Sequence, residues 1–265
     1  MDRSELPAQK QKRRAILALS DSALRNLKYD LPHNQEARDL FYHEQISLLN
    51  VDAINNPEEN SLLESLSHSG DLLNSGNLLV QSPYDSDDYV EVSQAYYTFA
   101  RKKWDIYTYF WGFLGAKEAS VDLKEIQITK KQQKGVGQGK YMGGKGKANV
   151  NKIDFNKVEK EMNLNKKFRS GGKLMPGNAK KYIKKYQWLF RDHDFEGIIE
   201  LAEAGIALEE QEFYMSVTQQ SQSNLDVALS LNVPVSLKSL DLNGKFEQIK
   251  QDIFEFSLKT KVTFW

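Results

Sequence analysis

The sequence predicts an α+β fold: a helical N-terminal part, followed by an antiparallel, β-sandwich-like C-terminal part with packed helices. Three observations carry this expectation. Apolar residues recur at helical spacing behind good cap residues in the first third. The last fifty residues alternate between apolar and polar at a period of two. A lysine- and glycine-rich stretch with neither period lies between them. The expected division is a helical region over 1–88 and an α+β domain over 89–265, with a basic Gly/Lys-rich loop at 130–150.

The elements follow in order. Asn34 is placed to cap a helix that carries Ala37, Leu40, Phe41 and Leu48 on one face. Asn56-Pro57 is a second start signal, ahead of Leu62, Leu63 and Leu66. The paired segments Ser69-Gly70-Asp71-Leu72-Leu73 and Ser75-Gly76-Asn77-Leu78-Leu79 are read as turns, and 82–88 as an acidic loop. Nine aromatic residues fall between Tyr96 and Phe113. They predict a core helix or buried strand, with a membrane-interface or stacking surface beside Arg101, Lys102 and Lys103 as the sharper reading.

Val121 to Ile128 reads as a strand. Phe155, Val158 and Met162 share one helical face. A further helix is capped by Asn178, with Tyr182, Ile183, Tyr186, Leu189 and Phe190 inward and Lys180, Lys181, Lys184 and Lys185 outward. Another runs from Asp194 to about Ala204 and stops near Gly205. Seven apolar residues from Leu225 to Leu237 stand at strict spacing two and predict a strand, with Pro234 at an edge or bulge. Phe213, Met215 and Val217 predict a shorter strand. Phe254 to Phe264 predicts another, after an Asn243-Gly244 turn.

Charge is unevenly distributed. The chain holds 36 basic and 36 acidic side chains. Residues 1–123 carry 12 basic and 19 acidic, net −7; residues 124–185 carry 18 and 4, net +14; residues 186–265 carry 6 and 13, net −7. A basic middle between acidic ends suits a polyanion, or acidic surfaces of neighbouring copies. The absence of cysteine removes disulfides, thiolate nucleophiles and cysteine-based zinc sites. No run approaches the length of a membrane-spanning helix. The N-terminus leads into a basic stretch, so no Sec signal is expected and the location is read as cytoplasmic, or within a viral or supramolecular assembly.

Candidate chemistry is sparse. Gly139 to Gly146 approaches the phosphate-cradling G-x4-G-K-[ST] loop, but Gly146 occupies the hydroxyl position that a bound magnesium ion requires. His193 is flanked by Asp192 and Asp194, and Asp194 is better spent as a helix cap. No G-x-S-x-G elbow and no H-x-x-x-H pair occurs.

The expected function is non-enzymatic: a self-assembling structural or scaffold protein, without a cofactor or metal. Its basic segment (Lys140, Lys145, Lys147, Lys180, Lys181, Lys184, Lys185) would contact nucleic acid or neighbouring subunits. One alternative is a pore-forming protein that binds anionic lipid and inserts a hairpin through Met215, Val217, Leu225, Val227, Leu229 and Leu231. A second is an enzyme built on distant carboxylates. From the cap assignment, Asp194→Ala is expected to cost about 1 kcal/mol in thermal unfolding, and His193→Ala almost nothing.

Overall fold

The computed structural model describes residues 6–54, 61–68, 71–129, 165–169, 174–186, 188–189, 195–216, 222–240 and 255–265. In chain order the first elements are β1 (Ala15–Leu19), α1 (Asp21–Asp30), α2 (Gln35–Phe41), β2 (Ile46–Asn50) and α3 (Ser61–His68). Next come β3 (Leu78–Gln81), β4 (Tyr89–Glu91), α4 (Val92–Phe113), β5 (Ala116–Thr129) and β6 (Asn165–Lys167). The last are α5 (Pro176–Lys185), α6 (Phe195–Glu203), β7 (Glu210–Ser216), α7 (Gln222–Leu229) and β8 (Glu255–Phe264). The fold class is α+β. No described helix is long and apolar enough to cross a membrane.

The chain forms two units. The first comprises residues 1–99 and 220–253; the second comprises 100–219 and 254–265. A linear reading that places one boundary near residue 88 does not anticipate a first unit that takes back a later segment.

The first unit is not simply helical. It is built on a four-stranded sheet of order β2-β1-β3-β4, in which β1 and β2 are parallel and the other pairs antiparallel. Successive residues of β1 point to opposite faces. Ala15, Leu17 and Leu19 join the core formed with α1, α2, the start of α4 and α7. Ile16 joins Leu49, Leu79 and Tyr89 against Leu62, Leu63 and Leu66 of α3. Helices therefore cover both faces, which is why β1 and β2 are buried along their whole length. A short strand wet on neither face shows no alternation, so it resembles a buried helix segment in sequence. Leu48 consequently belongs to β2, while the helix behind Asn34 ends at Phe41. The cap itself holds: the Ala37 N–H donates to Asn34 Oδ1 at 3.2 Å. The second of the paired Ser-Gly segments turns at Gly76 (φ +92°), and its leucines enter β3.

The predicted strand at 225–237 is corrected. Residues 222–229 form helix α7, and 235–240 a 3-10 turn. Asn224, Leu225, Val227, Ala228 and Leu231 are the buried positions, a spacing of one, three, four and seven from the first. Alternation counted Leu225, Val227 and Leu231 but passed over Ala228 and the buried Asn224. Asn224 is held at both ends: it accepts from Arg14 Nε at 2.8 Å and donates to the Gln81 carbonyl at 2.9 Å.

The second unit contains an antiparallel sheet of order β6-β5-β8-β7. The face bearing Phe213 and Phe264 packs on helix α4, with Trp111 ring centroids 5.7 and 6.0 Å away. Phe195 of α6 lies 4.7 Å from Phe110. A helix thus lies where the expected sandwich would place a second sheet. The aromatic-dense segment is a helix, one of the two buried forms that its composition predicts, and most of its rings enter the core. Helix α6 ends as expected at Gly205 (φ +73°). There the Ile206 N–H donates to the Leu201 carbonyl at 3.0 Å and the Gly205 N–H to that of Ala202 at 3.2 Å, a Schellman closure.

Two substitutions test the first unit. Leu225→Ala should cost about 2–5 kcal/mol in urea unfolding, as expected of a core leucine. Asn34→Ala should cost about 1 kcal/mol through the lost cap.

Candidate polyanion-binding face

Helix α5 presents the outward lysines that its sequence predicts. It starts two residues before the expected cap, with Pro176 in its first turn and Asn178 inside the helix. Proline suits that place because its φ is already helical and the N–H it lacks would have no partner there. Ala179 and Ile183 are buried, and Lys180, Lys181, Lys184 and Lys185 are all exposed. At 100° per residue the lysines form two rows, 180/184 and 181/185. Lys180 of the first row reaches Glu203 of α6 at 3.5 Å. Lys181 and Lys184 have no ion-pair partner among the described residues. Lys185 lies 5.2 Å from the ring centre of Tyr186.

The 181/185 row borders tyrosines. The Tyr182 ring lies 5.1 Å from Tyr186 and 5.5 Å from Phe113, and 6.5 Å from Tyr109 of α4. Tyr109 is 65% exposed. Burial, followed by the neighbouring Tyr186, Tyr109 and Asp105, pushes the Tyr182 phenol well above the usual tyrosine range. The ring therefore stays neutral and adds no negative charge to the face. Asp105 is met by Lys166 at 3.4 Å. Lys167 and Arg169 are exposed nearby in sequence. The result is a surface where two ammonium groups, Lys181 and Lys184, meet no described carboxylate and lie beside tyrosine rings.

Sequence reasoning found the lysines, but it took Tyr109 only as one of nine aromatics with a stacking surface as their second reading, and did not join it to the lysine helix. Its signal was the stripe Arg101, Asp105 and Tyr109, four residues apart on a helix otherwise filled with core aromatics. Lys103, grouped in the sequence with Arg101 and Lys102 as surface cations, is instead fully buried. Its ammonium donates to the Ser216 carbonyl and lies 5.1 Å from the Trp188 ring and 5.8 Å from that of Tyr107.

The other candidates fall elsewhere. Lys140, Lys145, Lys147, His193 and Val217 lie outside the described residues. Met215 is buried in β7 of the second unit. Leu225 and Val227 on α7, with Leu231 just beyond, are buried in the first unit; Leu229 belongs to α7, and its side chain lies outside the description. These apolar groups are split between two cores, not gathered on one hairpin. Among the described residues no three His, Cys, Asp or Glu side chains converge as metal ligands. No family model, curated protein or solved structure matches the chain.

If the outer rows of α5 are solvated, Lys181→Ala and Lys185→Ala should each change stability by less than about 0.5 kcal/mol. Ile183→Ala, on the buried face, should cost about 2–5 kcal/mol. Urea unfolding of the three variants checks the assignment.

Proposed function

We propose that this chain is a non-enzymatic, self-associating scaffold protein that binds single-stranded nucleic acid through the lysine–tyrosine face of its second unit. The observation that carries the reading is the 181/185 lysine row beside Tyr109, Tyr182 and Tyr186. Lysines supply charge to phosphates in any sequence, and exposed rings supply stacking surfaces for bases. A merely solvated lysine helix needs no neighbouring exposed ring. The +14 net charge of residues 124–185 adds to the attraction.

A labelled oligothymidine strand, heparin, and vesicles with and without phosphatidylserine are the probes. Lys181→Glu/Lys185→Glu is expected to weaken oligothymidine binding about tenfold or more, and wild-type binding should fall steeply with salt as counterions are released. Tyr109→Ser should weaken oligothymidine by about tenfold and leave heparin, which has no bases, unchanged. Equal losses on both would reduce the face to a charge patch. Tighter binding to phosphatidylserine vesicles than to oligothymidine would favour the membrane alternative. Binding unchanged by charge reversal and flat with salt would refute the proposal.

A further inference from the structure

A second surface of the same unit is acidic and apolar. Helix α6 and strand β7 flank a hollow of about 640 Å³, lined by Gly197, Ile198, Glu200 and Leu201 on one side and Gln211, Glu212 and Phe213 on the other. Trp111 and Phe195 lie beneath it. Among the described residues no lysine or arginine lines it. Leu201 is 40% exposed, and Ile206 beyond the helix end is 53% exposed. Glu212 is met by Lys259 at 3.4 Å, and Glu203 by Lys180. Glu196 and Glu200 are exposed, with no partner among the described residues.

An apolar trough with the Glu200 carboxylate at its rim matches one side-chain type closely. Lysine lays a four-carbon stem on apolar surface and carries its ammonium to a polar edge. Helix α5 displays exposed lysines, and it packs directly on α6. The basic helix therefore adjoins the helix that forms one wall of the trough.

Because they adjoin, a single two-fold axis can seat the lysines of each copy in the trough of the other at the same time. In a lone copy Lys180 meets Glu203 of α6, while Lys181 and Lys184 meet no carboxylate among the described residues. We infer that the chain forms a two-fold dimer in which the α5 lysines of one copy, Lys184 foremost, enter the α6–β7 trough and meet Glu200 of the other. This rests on the self-association part of the reading above and names its surface. The same lysine helix serves nucleic acid, so the dimer and a bound strand compete for it.

Sedimentation equilibrium of the full chain, from micromolar to hundreds of micromolar, tests the inference. Wild type should form a dimer at low salt and dissociate at high salt. Lys184→Glu and Glu200→Lys alter exposed groups, so circular dichroism should show both folded. Each alone should weaken dimerisation about tenfold or more. An equimolar mixture of the two should recover it, because the mixed dimer has one wild-type contact and one with the charges exchanged.

A monomeric wild type, a Glu200→Lys protein that dimerises normally, or a mixture no stronger than its components would overturn the interface. Species larger than the dimer would overturn its two-fold closure. Oligothymidine binding separates the two readings, since Glu200→Lys should keep it or strengthen it. A monomer that binds the strand removes the dimer alone, and a dimer that does not bind it removes the nucleic-acid reading alone.

Discussion

The indole of Trp111 is the contact on which the second unit depends. It is fully buried on α4, and its ring lies within about 6 Å of rings from three other elements: Phe195 of α6, Phe213 of β7 and Phe264 of β8. One side chain thereby sets how α6 and β7 approach each other, and hence the shape of the trough between them. Its Nε1–H has no acceptor in the description, a cost of about 1–3 kcal/mol. Burying an aromatic ring of this size contributes at least as much on transfer alone, before the ring–ring contacts are counted. The balance favours keeping the indole inside even with its donor unmatched.

From that anchor the unit sorts its charge onto two adjoining helices. Ala179 and Ile183 hold α5 down, and Phe195, Ile199 and Ala202 hold α6 down. The buried faces leave lysines outward on one helix and Glu196, Glu200 and Glu203 outward on the other. Among the described residues only the Lys180–Glu203 contact neutralises charge between the two helices, and at 3.5 Å between exposed groups it stabilises by well under about 1 kcal/mol. Lys181, Lys184, Glu196 and Glu200 have no ion-pair partner among the described residues, and the proposed contacts draw on these groups.

Parts of this arrangement were legible in the sequence because one physical cause produced one pattern. Asn34 before Ala37, and Gly205 after an apolar helical stretch, mark helix ends by hydrogen-bonding needs that few other residues meet. The inward and outward faces of α5 were likewise plain from Ile183 and the lysines around it. Strands β1 and β2 were hidden because burial on both faces erases alternation. Helix α7 was hidden for the opposite reason. Its apolar residues satisfy period two and nearly satisfy 3.6, and the deciding residue, Asn224, is polar but buried by bonds to Arg14 and Gln81. The tyrosine part of the candidate face joins residues from α4 and α5, and no local pattern signals a contact made across the fold.

Strand β8 shows the limit of local reading most clearly. It lies between β5 and β7, so it is an interior strand of its sheet, and it is supplied by the last segment of the chain. Its alternation was visible, but its partners were not. Between β7 and β8 the chain contributes α7 to the other unit. The pairing of Phe213 with Thr260, and of Val121 with Thr260 on the opposite side, therefore closes over long stretches of sequence. Contacts of that range form late, because the entropy of closing the intervening chain precedes any gain from the ladder. The trough beside β7 inherits this dependence: its far wall is held in place only once β8 has paired. The proposed self-association through this trough and the lysines of α5 is thus tied to completion of the second unit's fold.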